Sequence, residues 1–200
     1  MQLEKYIHVE SDAIPLNFCD EIIEEFDDDE YERGTINDYE RSRYRQCDVI
    51  ILSDEKIIEK NNKSRNRIDK KIYDIVNMNI EKYLQDYATL NFNLKEDTGY
   101  QLLKYKTGDY VTEHIDTSSG EHRTLSCSLA LNDGYEGGEL AFFDGELKYK
   151  LKKGDMMIFP SSFTYPHQVL PIISGTRYSI ITWIKSVSYT HLTLPTICSV

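Results

Sequence analysis

The chain has 200 residues, 40% hydrophobic and 28% charged, which is enough for one core of substantial size without disulfide support. Its formal net charge of −11 argues against a broad electrostatic grip on nucleic acid, since such binding relies on Lys and Arg to neutralise phosphates. The longest apolar runs, "VIIL" at 49–52 and "MMIF" at 156–159, are far shorter than the roughly 20 residues of a bilayer span, so no membrane partner is expected.

The opening "MQLEKYIHVESDAIPLNF" lacks a basic start, an apolar core and a small-residue cleavage site, and the expected location is cytoplasmic. His8 within it reads as an exposed or edge-strand residue. In "IPLNFCDEIIEEFDD", Pro15 precedes Phe18, Ile22, Ile23 and Phe26 at helical spacing and predicts a first amphipathic helix. A polar loop through Gly34 follows, with Arg41, Arg43 and Arg45 at period two. This loop is a candidate for substrate contact or a lid, and a solvated loop is the alternative. "DVIILSDEKIIEK" supplies a short apolar run and a possible helix start. "RIDKKIYDIVNMNIEKYL" then repeats Ile68, Ile72, Ile75, Val76, Ile80 and Leu84 on one helical face. The basic cluster at 60–71 reads as a solvated face or a contact for an acidic or aromatic partner.

From Phe92 the pattern shifts to short alternating segments separated by Gly-containing turns. Eight are predicted as strands: "YQLLKYK", "YVTEHID", "RTLSCSLALN", "GELAFFD", "ELKYKLKKG", "DMMIFPS", "HQVLPI" and "TRYSIITWI". The expected fold class is α+β, a β-sandwich or jelly roll with the helices on one sheet. One domain is expected over 1–185, with helical support at about 14–90 and the β core at about 92–184. Residues 186–200 read as a non-native tail and carry no functional weight. Cys19, Cys47, Cys127 and Cys198 form no CxxC pair and read as free thiols rather than a metal or disulfide framework.

Chemistry concentrates in "YVTEHIDTSSGEH". On a strand His114 and Asp116 share a face, so an imidazole and a carboxylate reach one ion, a donor pair suited to Fe(II), Zn or Mn. His122, after a turn, and His167, behind the restraining Pro166, both compete to be the third ligand. Arg177 opens the last apolar strand, where a guanidinium needs a carboxylate-like partner from the protein or from a ligand. On the strand 123–132, Thr124, Ser126, Ser128 and Ala130 share one small face opposite Leu125, Cys127, Leu129 and Leu131.

His114-x-Asp116, His167 and Arg177, with "YKTGDYVTEHID", "LNDGYEGGEL", "KKGDMMIFPSS" and "HQVLPIISGTRYSIITW" in order, resemble the Fe(II)/2-oxoglutarate-dependent dioxygenases of the prolyl-4-hydroxylase-like group. The resemblance spans about 14–184. Arg177, where many relatives use Lys, places the chain nearer the bacterial PKHD-type and oxygen-sensing branches. It implies a double-stranded β-helix (jelly roll) and His114, Asp116 and His167 as ligands of Fe(II). It implies 2-oxoglutarate held by Arg177 and Tyr105, dioxygen as oxidant, and ascorbate as a reductant. The implied reaction hydroxylates an unactivated C–H bond of a prolyl residue in a protein or of a free amino acid or related small molecule, releasing succinate and CO2. Ala130 stands where some oxygen-sensing relatives carry a second tyrosine, so that pocket wall is built differently. A cupin-like binding protein without turnover is the reading from another class. Oxidative demethylation of nucleic-acid bases is disfavoured by the acidic charge and by Trp183, where that branch carries a further Arg. Neither the oligomeric state nor the acceptor is set by these residues.

Overall fold

Two hydrophobic periodicities divide the chain, and the computed structural model realises both in the residues it describes, 3–29, 31–33, 44–53, 63–87, 94–117 and 122–186. A 3-10 turn at Leu3–Tyr6 leads to β1 (His8–Glu10) and helix α1 (Leu16–Phe26). β2 (Glu32–Arg33), β3 (Arg45–Gln46) and β4 (Asp48–Ile51) precede the long helix α2 (Lys63–Asp86). The remaining strands are β5 (Leu94–Asp97), β6 (Gln101–Tyr105), β7 (Tyr110–His114), β8 (Arg123–Ala130), β9 (Glu136–Gly137) and β10 (Leu140–Phe142). After these come β11 (Leu147–Tyr149), β12 (Met156–Pro160), β13 (His167–Val169), β14 (Ile172–Ser174) and β15 (Arg177–Ser186).

Pro15 caps α1 with its carbonyl, which accepts from the N–H of Phe18 at 2.9 Å and of Cys19 at 3.1 Å. The helix buries Phe18, Cys19, Ile22 and Phe26, and α2 buries Ile68, Ile72, Ile75, Val76, Ile80 and Tyr83. Asn79 on that buried face is satisfied by donating back to the Ile75 carbonyl at 2.8 Å. These faces pack on the outer side of the larger sheet, whose order is β1-β12-β8-β15-β6-β4-β2 with β5 beside β15. Strand alternation explains why: Leu125, Cys127 and Leu129 of β8 and Ile180 and Ile184 of β15 all face the helices.

The smaller sheet, β11-β10-β13-β7-β3, closes over the other face of the larger one, with β14-β9 as a separate ribbon. Between them lies a second core built from Leu103, Tyr105, Val111, Phe142, Met157, Phe159 and Val169. The architecture is a jelly roll with two helices backing one sheet, as expected from the residues.

Each of the eight predicted segments contains a strand. β1, β2, β3, β4, β5, β9 and β14 add further short strands that exist by pairing rather than by their own alternation. His8 lies in β1, at the edge of the larger sheet. The part of the 60–71 basic cluster that is described is not merely solvated: Arg65 pairs with Glu25 and Asp29 of the α1 region, Arg67 with Glu21, and the Lys71 ammonium lies 3.8 Å above the Phe18 ring. Cys19, Cys47 and Cys127 are buried free thiols. Residue 186 belongs to β15, and the rest of the predicted tail, like the segment 54–60, lies outside the described residues. Among the described residues no helix is long and apolar enough to cross a membrane.

Phe18 is 0% exposed, whereas Phe163 is 76% exposed. Phe18→Ala therefore lowers unfolding stability in urea by about 3–5 kcal/mol, while Phe163→Ala changes it by less than about 0.5 kcal/mol.

Candidate metal centre

Antiparallel pairing of β7 with β13 sets His114 directly opposite His167, and the two rings stand 4.4 Å apart between centroids. Asp116 arrives differently from the sequence expectation. β7 ends at His114, so the two residues do not share a continuous strand face. Instead the chain bends, leaving Ile115 40% exposed and turning Asp116 inward. Two contacts hold that bend: Ser126 Oγ donates to Asp116 Oδ2 at 2.6 Å, and Arg123 Nη1 donates to the Asp116 carbonyl at 3.1 Å. The Ser126 proton is committed to Asp116, so Ser161 Oγ, 2.8 Å away, is the donor in the next bond of the chain.

Backbone carbonyls fix both imidazoles. His114 Nδ1 donates to Thr112 O at 2.9 Å and His167 Nδ1 to Tyr165 O at 3.1 Å, which leaves each Nε2 lone pair for a metal. His114 Nε2 lies 3.5 Å from Asp116 Oδ1, and His167 Nε2 lies 3.4 Å from Asp116 Oδ2. The three ligand atoms all fall within 4.8 Å of one another, and among the described residues this is the only such group. Two nitrogens and one carboxylate oxygen on one side of a shared point form the donor set of a non-haem iron site with open positions. The donors thus fit the metal. His122 is exposed and outside the group, and His8 is engaged with Glu10 at 3.1 Å.

Electrostatics follow from burial. Asp116 and His167 are only 9% and 5% exposed. Burial opposes ionisation of Asp116, but the His167 and His114 charges and the hydrogen bonds of His114 and Ser126 outweigh it, holding the carboxyl far below its ordinary range. His167 is lowered by burial, against a pairing with Asp116 that pulls the other way. Burial also disfavours the charged form of His114, yet its bond and attraction to Asp116 prevail and raise it.

The cluster lies in a cavity of about 600 Å³ between the two sheets. Arg177 and Tyr105 line it too, paired across β15 and β6, with the guanidinium 4.9 Å over the phenol ring. Arg177 is 3% exposed and Nη1 donates to Ser179 Oγ at 3.0 Å, but among the described residues no carboxylate pairs with it. Burial keeps the Tyr105 phenol protonated and able to donate. Gly138 clears space for Arg177: it sits at φ 66°, and a Cβ there would come within 2.4 Å of Ile172 Cδ1 and 3.2 Å of Arg177 Cδ. This accounts for one glycine of "GYEGGEL".

The structure brings together all five predicted residues, His114, Asp116, His167, Arg177 and Tyr105, around one cavity. Sequence reading missed Ser126 and Ser161 as supports of Asp116, although the small face of β8 was the available signal. Ser126 and Ser128 from that face do line the cavity. Of the basic loop, Arg45 reaches the cavity wall, while Arg41, Arg43 and Gly34 lie outside the described residues.

Residues 100–185 match the 2OG-Fe(II) oxygenase superfamily. The chain is 36% identical to a PKHD-type hydroxylase of Idiomarina loihiensis over 89 residues, covering 42% of this chain and 40% of that one. It is 37% identical to a PKHD-type hydroxylase of Prochlorococcus marinus over 113 residues, covering 53% and 50%. The chain thus spans half or less of the length of these curated relatives. In fold it is similar to a Pseudomonas putida prolyl-4-hydroxylase, with TM-score 0.67, 17% identity and coverage of 92% and 94%. It is also similar to a Trichoplax adhaerens prolyl hydroxylase in complex with a hypoxia inducible factor peptide fragment, with TM-score 0.70, 17% identity and coverage of 90% and 83%.

A metal must displace the proton from His114, whose pKa is raised, so divalent affinity falls as pH drops, and the fall begins above the ordinary histidine value of about 6.5. Calorimetric titration with Mn(II) between pH 8 and pH 5.5 checks this, the expected slope reaching about tenfold per pH unit for each proton displaced.

Proposed function

We propose that this chain is a member of the 2OG-Fe(II) oxygenase superfamily that holds Fe(II) at His114, Asp116 and His167 and 2-oxoglutarate at Arg177 and Tyr105, and hydroxylates an unactivated C–H bond of a peptide prolyl residue or a free amino acid. The observation that carries this reading is Arg177, a buried guanidinium without an acidic partner among the described residues, in the same cavity as the His–Asp–His cluster. An isolated buried charge is costly to maintain, by several kcal/mol, unless a ligand compensates it. A dicarboxylate spanning from the cluster to Arg177 would do so.

Bound Fe(II) supplies the oxidative chemistry, in which 2-oxoglutarate and dioxygen give succinate and CO2 while one oxygen atom enters the substrate C–H bond. The protein's own contribution is orientation and exclusion of water. The Thr112 and Tyr165 carbonyls hold both imidazoles in the tautomer that presents Nε2, and Ser126, backed by Ser161, holds the Asp116 carboxylate. Arg177 offers the distal carboxylate a planar two-donor face, steadied by Ser179 and the Tyr105 ring. Tyr105, protonated, donates to the same cosubstrate. Phe159 and Phe142 pack on His167 at 4.8 and 5.6 Å and keep that side dry. The Trichoplax adhaerens neighbour in complex with a peptide fragment supports a peptide acceptor.

Anaerobic Fe(II) and 2-oxoglutarate together are expected to give a weak visible metal-to-ligand charge-transfer band, absent in His167→Ala. Arg177→Gln keeps iron but weakens 2-oxoglutarate by about tenfold or more, as loss of a bidentate charge-assisted pair requires. No band at saturating iron and cosubstrate would sink the reading.

A further inference from the structure

Arg45 is a second cation of this cavity that forms no ion pair among the described residues. It lies in β3, opposite Val111 of β7 on the smaller sheet, and two residues later Cys47 leads into β4 of the larger one. Arg45 therefore stands where the chain crosses from one sheet to the other, and its side chain lines the cavity beside the His–Asp–His cluster. Its Nε donates to Cys47 Sγ at 3.3 Å, while Nη2 is buried with no hydrogen-bond partner.

Among the described residues around it, Asp116 is the one full negative charge that favours the Arg45 cation, and it acts from beyond ion-pair distance. Burial pushes the Cys47 thiol up, so it stays neutral, and Tyr105 is held protonated in the same way. Among the described residues Asp116 is the one carboxylate in the cavity wall. It is taken by Ser126 and by the two imidazoles it lies between, and among the described residues it forms no ion pair with Arg45. A guanidinium cannot shed its proton to escape this situation as a lysine could. It waits for an anion, and its planar fork selects a carboxylate. Arg177, stacked over Tyr105, likewise forms no ion pair among the described residues.

We propose that Arg45 is a second carboxylate-binding residue of the cavity, which rests on the 2-oxoglutarate reading of Arg177. The carboxylate belongs either to the primary substrate, making the preferred substrate an acid rather than a neutral amide, or to the second carboxylate of 2-oxoglutarate. The two sources share one chemistry and separate on titration.

Trp183, the only tryptophan of the chain, lines the cavity beneath the Arg123 guanidinium at 3.9 Å, so its fluorescence reports binding without turnover. Mn(II)-loaded protein is titrated with 2-oxoglutarate. At saturating 2-oxoglutarate it is then titrated with acetate and N-acetylproline, each against its carboxamide. If Arg45 reads the cosubstrate, Arg45→Gln weakens 2-oxoglutarate by about tenfold or more. If it reads the primary substrate, 2-oxoglutarate affinity is unchanged and the preference of wild type for acid over amide disappears. Arg45→Lys, which keeps the charge without the fork, falls between wild type and Arg45→Gln and replaces it as the test should the latter fail to fold.

Arg45→Gln melts at or above the wild-type temperature, because it removes a partly buried cation whose Nη2 has no hydrogen-bond partner among the described residues. Unchanged affinity for every ligand in both variants overturns the inference, and a lowered melting temperature alongside it assigns Arg45 to the fold instead. Arg177→Gln separates the two layers: if it weakens 2-oxoglutarate while the Arg45 variants do not, only this inference falls. If Arg177→Gln has no effect either, the reading beneath it fails.

Discussion

The structure depends on one buried anion. Asp116 lies in the space between two sheets, where an unpaired carboxylate is strongly disfavoured, and three neighbours make it tolerable: two imidazoles and the Ser126 hydroxyl. Each neighbour comes from a different strand or strand end, β7, β13 and β8, so the carboxylate ties both sheets to one point. The imidazoles are themselves oriented from behind by carbonyls two residues earlier, and this repeated local geometry makes their lone pairs converge. A divalent cation would replace attraction between partial charges by attraction to a full one, the physical reason such a cluster is proposed as a metal centre.

The cavity inverts the charge of the chain around it. The protein carries a net −11, yet among the described residues the cavity wall has three arginines, Arg45, Arg123 and Arg177, against the single acid Asp116. Low-dielectric walls concentrate the field of such groups, and a negative exterior with a positive interior favours anions that are small enough to enter. The arginines are held in three different ways: Arg123 stacks on Trp183 and bonds the Asp116 carbonyl, Arg177 stacks on Tyr105 and bonds Ser179, and Arg45 leans on Cys47. Arg123 shapes the bend at Asp116, whereas the other two form no ion pair among the described residues.

Much of this was legible from residue order. Helical spacing from Ile68 to Ile80 dictated which face of α2 is buried, and alternation from Leu125 to Leu129 dictated which face of β8 meets the helices. Alternation likewise predicted a small-residue face, and Ser126 and Ser128 line the cavity. The placement of Asp116 was right for the wrong local reason. An i, i+2 rule assumes that the strand continues, but β7 stops at His114, and the inward turn comes from side chains of β8 that no local pattern reveals. The short strands β2, β3, β5 and β9 were invisible for a related reason: two to four residues carry too little periodicity to announce a strand that exists only because a neighbour pairs with it.

By itself, then, the sequence determined the fold class, the helix faces and the strand faces, because these follow from periods of 3.6 and 2. Only the tertiary structure brings His167 rather than His122 beside His114, since that placement depends on β13 lying beside β7 in a register no local pattern encodes. It alone showed that Arg45, one of three arginines in a basic run, reaches the cavity, and that among the described residues Arg45 and Arg177 form no ion pair there. Whether a charge is compensated is a property of everything packed around it, and that is fixed only when distant strands come together.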